Sequence, residues 1–178
     1  MKLTTKQIAT AGILLAICIV SQFFKNFSVF ITGPIINACL ILATLTCGLL
    51  PGIILSIITP ITAFFITGNP VMSAIPAMIL MIILGNAILV VFVHFFGAKT
   101  QLRFLLGMGL GSVIKALFMG LTISLWLLPS FLPEAMAAKL PVLQANFSTV
   151  QLITALIGSA IAYVVWIPLK KVMASENL

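Results

Sequence analysis

The chain has 178 residues, 62% of them hydrophobic and 6% charged, against about 45–50% and about 25% in an ordinary soluble domain. No water-soluble core could use that much apolar surface, so the composition places the chain in a membrane. The formal net charge of +7 does not indicate nucleic-acid binding, because the basic residues are scattered at the borders of apolar runs instead of forming one basic face.

The first span is predicted from about Gln7 to Phe24. Lys2 and Lys6 followed by an apolar run also resemble a signal peptide. Ile17 is too bulky for the position before Cys18 in a lipoprotein cleavage box, however, and more apolar spans follow, so a retained first helix is expected. Between Lys25 and Lys99 there are 73 consecutive residues without Asp, Glu, Lys or Arg. One crossing needs about 20 apolar residues, so this stretch crosses three or four times.

Within it, a polar and aromatic loop from Lys25 to Pro34 precedes a short second span, Ile35 to Leu49. Leu50-Pro51-Gly52 is expected to reverse the chain. The third span, Ile53 to Thr67, is interrupted by Pro60. Gly68-Asn69-Pro70 marks the next turn, before a fourth span from Ser73 to Phe96. Phe104 to Leu128 supplies the fifth span and Phe147 to Leu169 the sixth. The connection Pro129 to Asn146 contains Glu134 to Leu140 as a candidate short interfacial helix.

The fold class expected is therefore all-α: a single transmembrane domain over residues 1–178, built as a bundle of six transmembrane helices. An even count puts both termini on one side. Lys2, Lys6, Lys99, Arg103, Lys170 and Lys171 share that side, and only Lys25 and Lys139 fall on the other. Basic residues favour the cytoplasmic face, so cytoplasmic N- and C-termini are expected.

Catalytic chemistry has little to work with. The acidic residues are Glu134, in a loop, and Glu176, in the tail, which leaves no carboxylate pair for acid-base work or for a divalent metal. His94 is the only histidine and sits at the exit of its span, where imidazole suits the membrane border. Cys18, Cys39 and Cys47 lack the spacing of a metal site or a disulfide framework and read as packing residues. Gly107, Gly109 and Gly111 lack the strand and third spaced glycine of a dinucleotide fingerprint and read as small residues for close helix packing. No enzyme activity, cofactor or metal is expected.

Lys115 stands apart. It lies near the middle of the fifth span, where a charged side chain costs about 2.5–3.5 kcal/mol on insertion scales. With no acidic residue in any span, its partner must be a backbone carbonyl, water in a cavity, Asn86 or an anionic substrate group. Counting inward at about 1.5 Å per residue from Ser73 and from Leu128 puts Asn86 and Lys115 at similar depth, so the two can share a cavity. Thr32, Asn37, Asn69, Trp126, Gln144, Asn146 and Gln151 gather at the same ends of the spans. Taken singly, each fits the ordinary polar and aromatic belt; together they suit a pocket with a few polar groups in an apolar lining. Lys115, Asn86, Asn37, Trp126 and Asn146 are the candidate substrate-binding residues.

Three local features resemble the S components, the substrate-binding membrane subunits of energy-coupling-factor (ECF) transporters. The first helix, IATAGILLAICIVSQ, carries Ala9, Gly12 and Ala16 at helical spacing. A Gly-Pro-containing segment leads into the hairpin FITGPIINACLILATLTCGLLPGIILSIITP. Gly85-Asn86 lies inside the fourth span, and GLGSVIKALFMG surrounds Lys115. The likeness covers nearly the whole chain.

The resemblance implies capture of a vitamin or related micronutrient from outside, at a site in the outer half of the helices capped by the loop after the first helix. It further implies delivery inward by toppling, with a transmembrane coupling protein and two cytoplasmic ATPases, in a bacterial plasma membrane. Members dock on the coupling protein through an Ala-xxx-Ala strip. Gly12 and Ala16, with Ala9 one turn earlier, correspond to it, although glycine replaces the first alanine. The buried cation suits a carboxylate or phosphate, and Trp126 or Phe131 suits ring stacking. Niacin, biotin, pantothenate, tryptophan and folate all answer that description. A stand-alone small-solute channel, with Lys115 selecting anions, is the competing expectation.

Overall fold

The computed structural model describes residues 3–24, 28–97 and 100–175; Lys2, Lys25, Lys99 and Glu176 lie outside them. Helix α1 covers Thr5–Gln22, α2 Val29–Cys47, α3 Leu49–Thr67, the short α4 Pro70–Ala74 and α5 Ala77–Phe96. Helix α6, Gln101–Met119, runs into a π-helical segment, Gly120–Leu127, and the single turn α7, Leu128–Phe131. A 3-10 turn, Glu134–Lys139, and α8, Leu140–Asn146, lead to the long α9, Thr149–Ser175. Six of these stretches are long and apolar enough to cross a membrane, and no strand occurs among the described residues.

The second and third spans are longer than expected. Gly33 and Pro34 were expected in a loop, yet α2 begins at Val29, where the Ser28 hydroxyl accepts from the Phe30 N–H at 3.2 Å and fixes the start. Pro34 therefore sits inside α2. Only one helical hydrogen bond is forfeited there, and transmembrane helices tolerate such a residue when neighbours pack over it. The reversal is likewise made by Gly48 alone, at φ 97°, and not by Leu50-Pro51-Gly52. Pro51 occupies the first turn of α3, where a missing N–H costs nothing. Pro60 lies within a continuous α3 and does not break it. The expected turn at Gly68 is present: Gly68 takes the left-handed conformation at φ 55°, and the Asn69 side chain caps α4 by accepting from the N–H groups of Val71 and Met72.

Lipid supplies no hydrophobic drive between helices, so closeness must come from small residues. Glycines supply it here. A Cβ on Gly107 would stand 2.7 Å from Phe96 Cβ, and one on Gly111 3.1 Å from Leu89 and Phe92 atoms, so these two let α6 lie against α5. Gly109 faces away and would meet nothing within 4 Å, so of the three glycines on α6 only two serve that packing. Hydroxyls inside the spans turn back on the carbonyl four residues earlier, as Thr44, Ser56 and Thr59 do, which spares them a partner from lipid. Cys18, Cys39 and Cys47 are free and buried.

Two apolar clusters stack along the bundle. One, nearer the end that carries both termini, joins Ile41 and Leu42 of α2, Leu89 and Val93 of α5, Phe104 and Met108 of α6 and Ala162 of α9. The other, toward the opposite end, joins Val71, Ile75 and Met78 to Met119, Ile123 and Leu127. On both α5 and α6 a polar residue falls between the two clusters.

Candidate functional site

Those polar residues are Asn86 and Lys115, and α2 adds Asn37. Lys115 is 2% exposed, Asn37 2% and Asn86 4%. The Lys115 Nζ donates to Asn37 Oδ1 at 2.5 Å and to Asn86 Oδ1 at 2.8 Å. Lys115 thus lies at the depth predicted from the sequence and meets Asn86. The second partner, Asn37, was assigned to the site but not to Lys115.

The Asn37 amide is held in the orientation this requires. Asn37 Nδ2 donates to the Gly33 carbonyl at 2.9 Å, which turns its oxygen toward the amine. Gly158 of α9 makes room for this: a Cβ there would lie 2.6 Å from Asn37 Cβ and 2.7 Å from the Pro34 carbonyl oxygen. A Cβ on Gly85, next to Asn86, would lie 2.8 Å from Met119 Cγ. One turn before Lys115, Ser112 meets Ser159 of α9 at 3.2 Å and ties that face of α6 to the bundle.

Lys115, Asn37 and Asn86 line a cavity of about 250 Å³ in the half of the bundle opposite the termini. Asn146, Asn69, Gln151 and Thr32 also line it. Its apolar walls include Ile36, Pro60, Ala63, Met72, Ile82 and Phe147. Of the five candidate binding residues, Lys115, Asn86, Asn37 and Asn146 are brought together. Trp126 is not: it is 57% exposed on the outside of the bundle and does not line the cavity. Phe131, also considered for ring stacking, is 58% exposed. The aromatic side chain that does line the cavity is Phe147. Its sequence signal was its place beside Asn146 at the head of the sixth span.

Gln144 serves the site without lining it. In the π-helical segment each carbonyl accepts from the N–H five residues on, as Ile123 does from Leu128. The donor due to Ser124 would be residue 129, a proline, which has none. Gln144 Nε2 fills that vacancy at 2.8 Å, and Ser124 Oγ returns a hydrogen bond to the Gln144 carbonyl at 2.8 Å. Helix α8 is thereby fastened to the outer end of α6, which places Leu143, Asn146 and Phe147 over the cavity.

The described residues contain no cluster of His, Cys, Asp or Glu able to hold a metal. His94 is exposed at the last turn of α5, away from the cavity. On the other side of the bundle Ala9, Gly12 and Ala16 are exposed along one face of α1, and a Cβ on Gly12 would meet nothing within 4 Å.

No curated protein and no solved structure matches the chain. Residues 6–170 do match the family model of the ECF transporter substrate-specific component. The chain therefore belongs to that family: it is a multi-pass membrane subunit that binds a transporter's substrate and is not itself an enzyme.

Proposed function

We propose that this chain captures a vitamin or related micronutrient in the cavity around Lys115 and delivers it across a bacterial plasma membrane. Lys115, Asn86, Asn37 and Asn146 are the binding residues in this reading. Both termini face the cytoplasm, and the whole chain acts as one transmembrane domain. Energy comes from two cytoplasmic ATPases through a separate transmembrane coupling protein, since this subunit carries no ATPase site of its own. The observation that supports the reading is the cavity itself, polar at its floor and apolar on its walls, as small-molecule sites are.

The face of α1 bearing Ala9, Gly12 and Ala16 is the docking strip for the coupling protein. Small side chains one turn apart let a second helix approach closely, and these three are exposed among the described residues. The test is co-purification with the coupling protein and ATPases, and substrate uptake, for the wild type and for Gly12→Leu/Ala16→Leu. The double variant is expected to hold a substrate as the wild type does, yet to lose the partners and uptake. Normal uptake by the variant would remove α1 from the docking role.

A further inference from the structure

We infer that the substrate is a small organic anion, one ring or a chain of similar bulk, whose acid group pairs with Lys115. The inference rests on the capture reading above and gives it a chemical class.

Lys115 is buried among groups that stabilise its charge without cancelling it. Two carboxamide oxygens take two of the three ammonium hydrogens, and the third is left for the cavity that Lys115 lines. No carboxylate lines that cavity. The chain has only two acidic residues, Glu134 and Glu176, and Glu134 is exposed in the 3-10 turn, away from the cavity. A buried cation is stable only when paired or well solvated, and the counterion this chain withholds is the one a substrate acid group supplies. An ammonium–carboxylate hydrogen bond is about twice as strong as a neutral one. A neutral ligand of the same shape leaves the amine with carbonyl dipoles alone.

Bulk is limited by the volume. About 250 Å³ lies below the 300–1,000 Å³ range of drug-sized sites. The remaining polarity is all carboxamide or hydroxyl. The Asn86 amide nitrogen makes no hydrogen bond among the described residues, and neither do the side chains of Asn146 and Gln151. The Asn86 nitrogen, beside Lys115, suits a second oxygen of the acid group, and Asn146 and Gln151 suit hydroxyl, amide or ring-nitrogen substituents elsewhere on the ligand.

The test uses the purified wild-type chain in lipid nanodiscs. Molecules retained from growth in rich medium are extracted and identified by mass spectrometry. Thermal melting is then followed with acid and neutral pairs: nicotinate and nicotinamide, pantothenate and pantothenol, biotin and biotinamide, with folate as an oversized acid. The expected result is a retained small acid, or an acid of the panel that binds at least about a hundredfold more tightly than its neutral partner, with folate inert. Lys115→Met should erase that preference.

A neutral partner that binds as well as its acid, or a retained molecule without an acid group, overturns the inference. If Ala63→Phe, which fills the cavity, also abolishes binding of that neutral molecule, the capture reading survives. No retained molecule and no response to any of the panel would overturn both.

Discussion

Asn37 shows how narrow the tolerance is at the level of single residues. Its side chain must give its nitrogen to Gly33 and its oxygen to Lys115 at once, and it does so pressed against a helix that can be this close only because residue 158 has no side chain. Gly158→Ala would drive a methyl group into Asn37 Cβ and into the Pro34 carbonyl, a backbone atom that cannot swing aside. Overpacking of this kind costs about 1–3 kcal/mol. The variant is expected to unfold at lower denaturant and to bind substrate several-fold more weakly. Gly109→Ala is the matched control: its methyl would meet nothing within 4 Å, and alanine favours a helix over glycine by up to about 1 kcal/mol. It should be neutral or slightly stabilising in the same unfolding titration. Equal losses in both variants would show that the close approach of α9 to α2 does not hold the site.

Among the elements, the π-helical end of α6 and the small helix α8 depend on each other through Pro129. Gln144→Leu would leave the Ser124 carbonyl buried without a donor, a loss of about 1–3 kcal/mol. Since α8 brings Asn146 and Phe147 to the cavity, the variant is expected to release substrate about tenfold faster. Pro129→Ala restores an N–H at the position whose partner is the Ser124 carbonyl, so the double variant should recover part of the stability lost by Gln144→Leu. Additive losses in the double variant would contradict this coupling, which stopped-flow release and unfolding titrations would both detect.

The same prolines and glycines decide how far the elements could be read from the sequence. Spans five and six and the Gly68-Asn69-Pro70 turn were legible because long apolar runs and an unambiguous cap leave one solution. Helix α2 was not. Gly33-Pro34 is a turn signal by local propensity, and what overrides it is the packing of α9, through Thr154 over Gly33 and Gly158 against Pro34, contacts more than a hundred residues away in the chain. That Lys115 and Asn86 share a depth could be counted from the span ends at the ordinary helical rise, even though the break before α5 and the π-helical segment Gly120–Leu127 interrupt the two counts. The exclusion of Trp126 could not, because a π-helical turn changes the rotation of every later residue about the axis and no pattern announced it.

At the scale of the whole molecule, the bundle separates two tasks. One half holds the cavity, between two apolar clusters and beneath α8; α1 presents a strip of small residues left exposed among the described residues. If α1 is the docking face, as proposed, substitutions there and in the cavity should change coupling and binding independently. Exposed basic residues among the described positions follow the same polarity, with Lys6, Arg103, Lys170 and Lys171 at the end bearing the termini and Lys139 at the other.

The most direct measurement is native mass spectrometry of the solitary chain, released from nanodiscs without its partners, for the wild type and for Ala63→Phe. Ala63 lines the cavity wall, so the larger ring occupies the substrate's space while leaving Lys115 and its amides in place. The account predicts one small-molecule adduct per wild-type chain and none on the variant, with both chains equally helical. An adduct of the same mass on both proteins would put the bound molecule elsewhere and contradict the site.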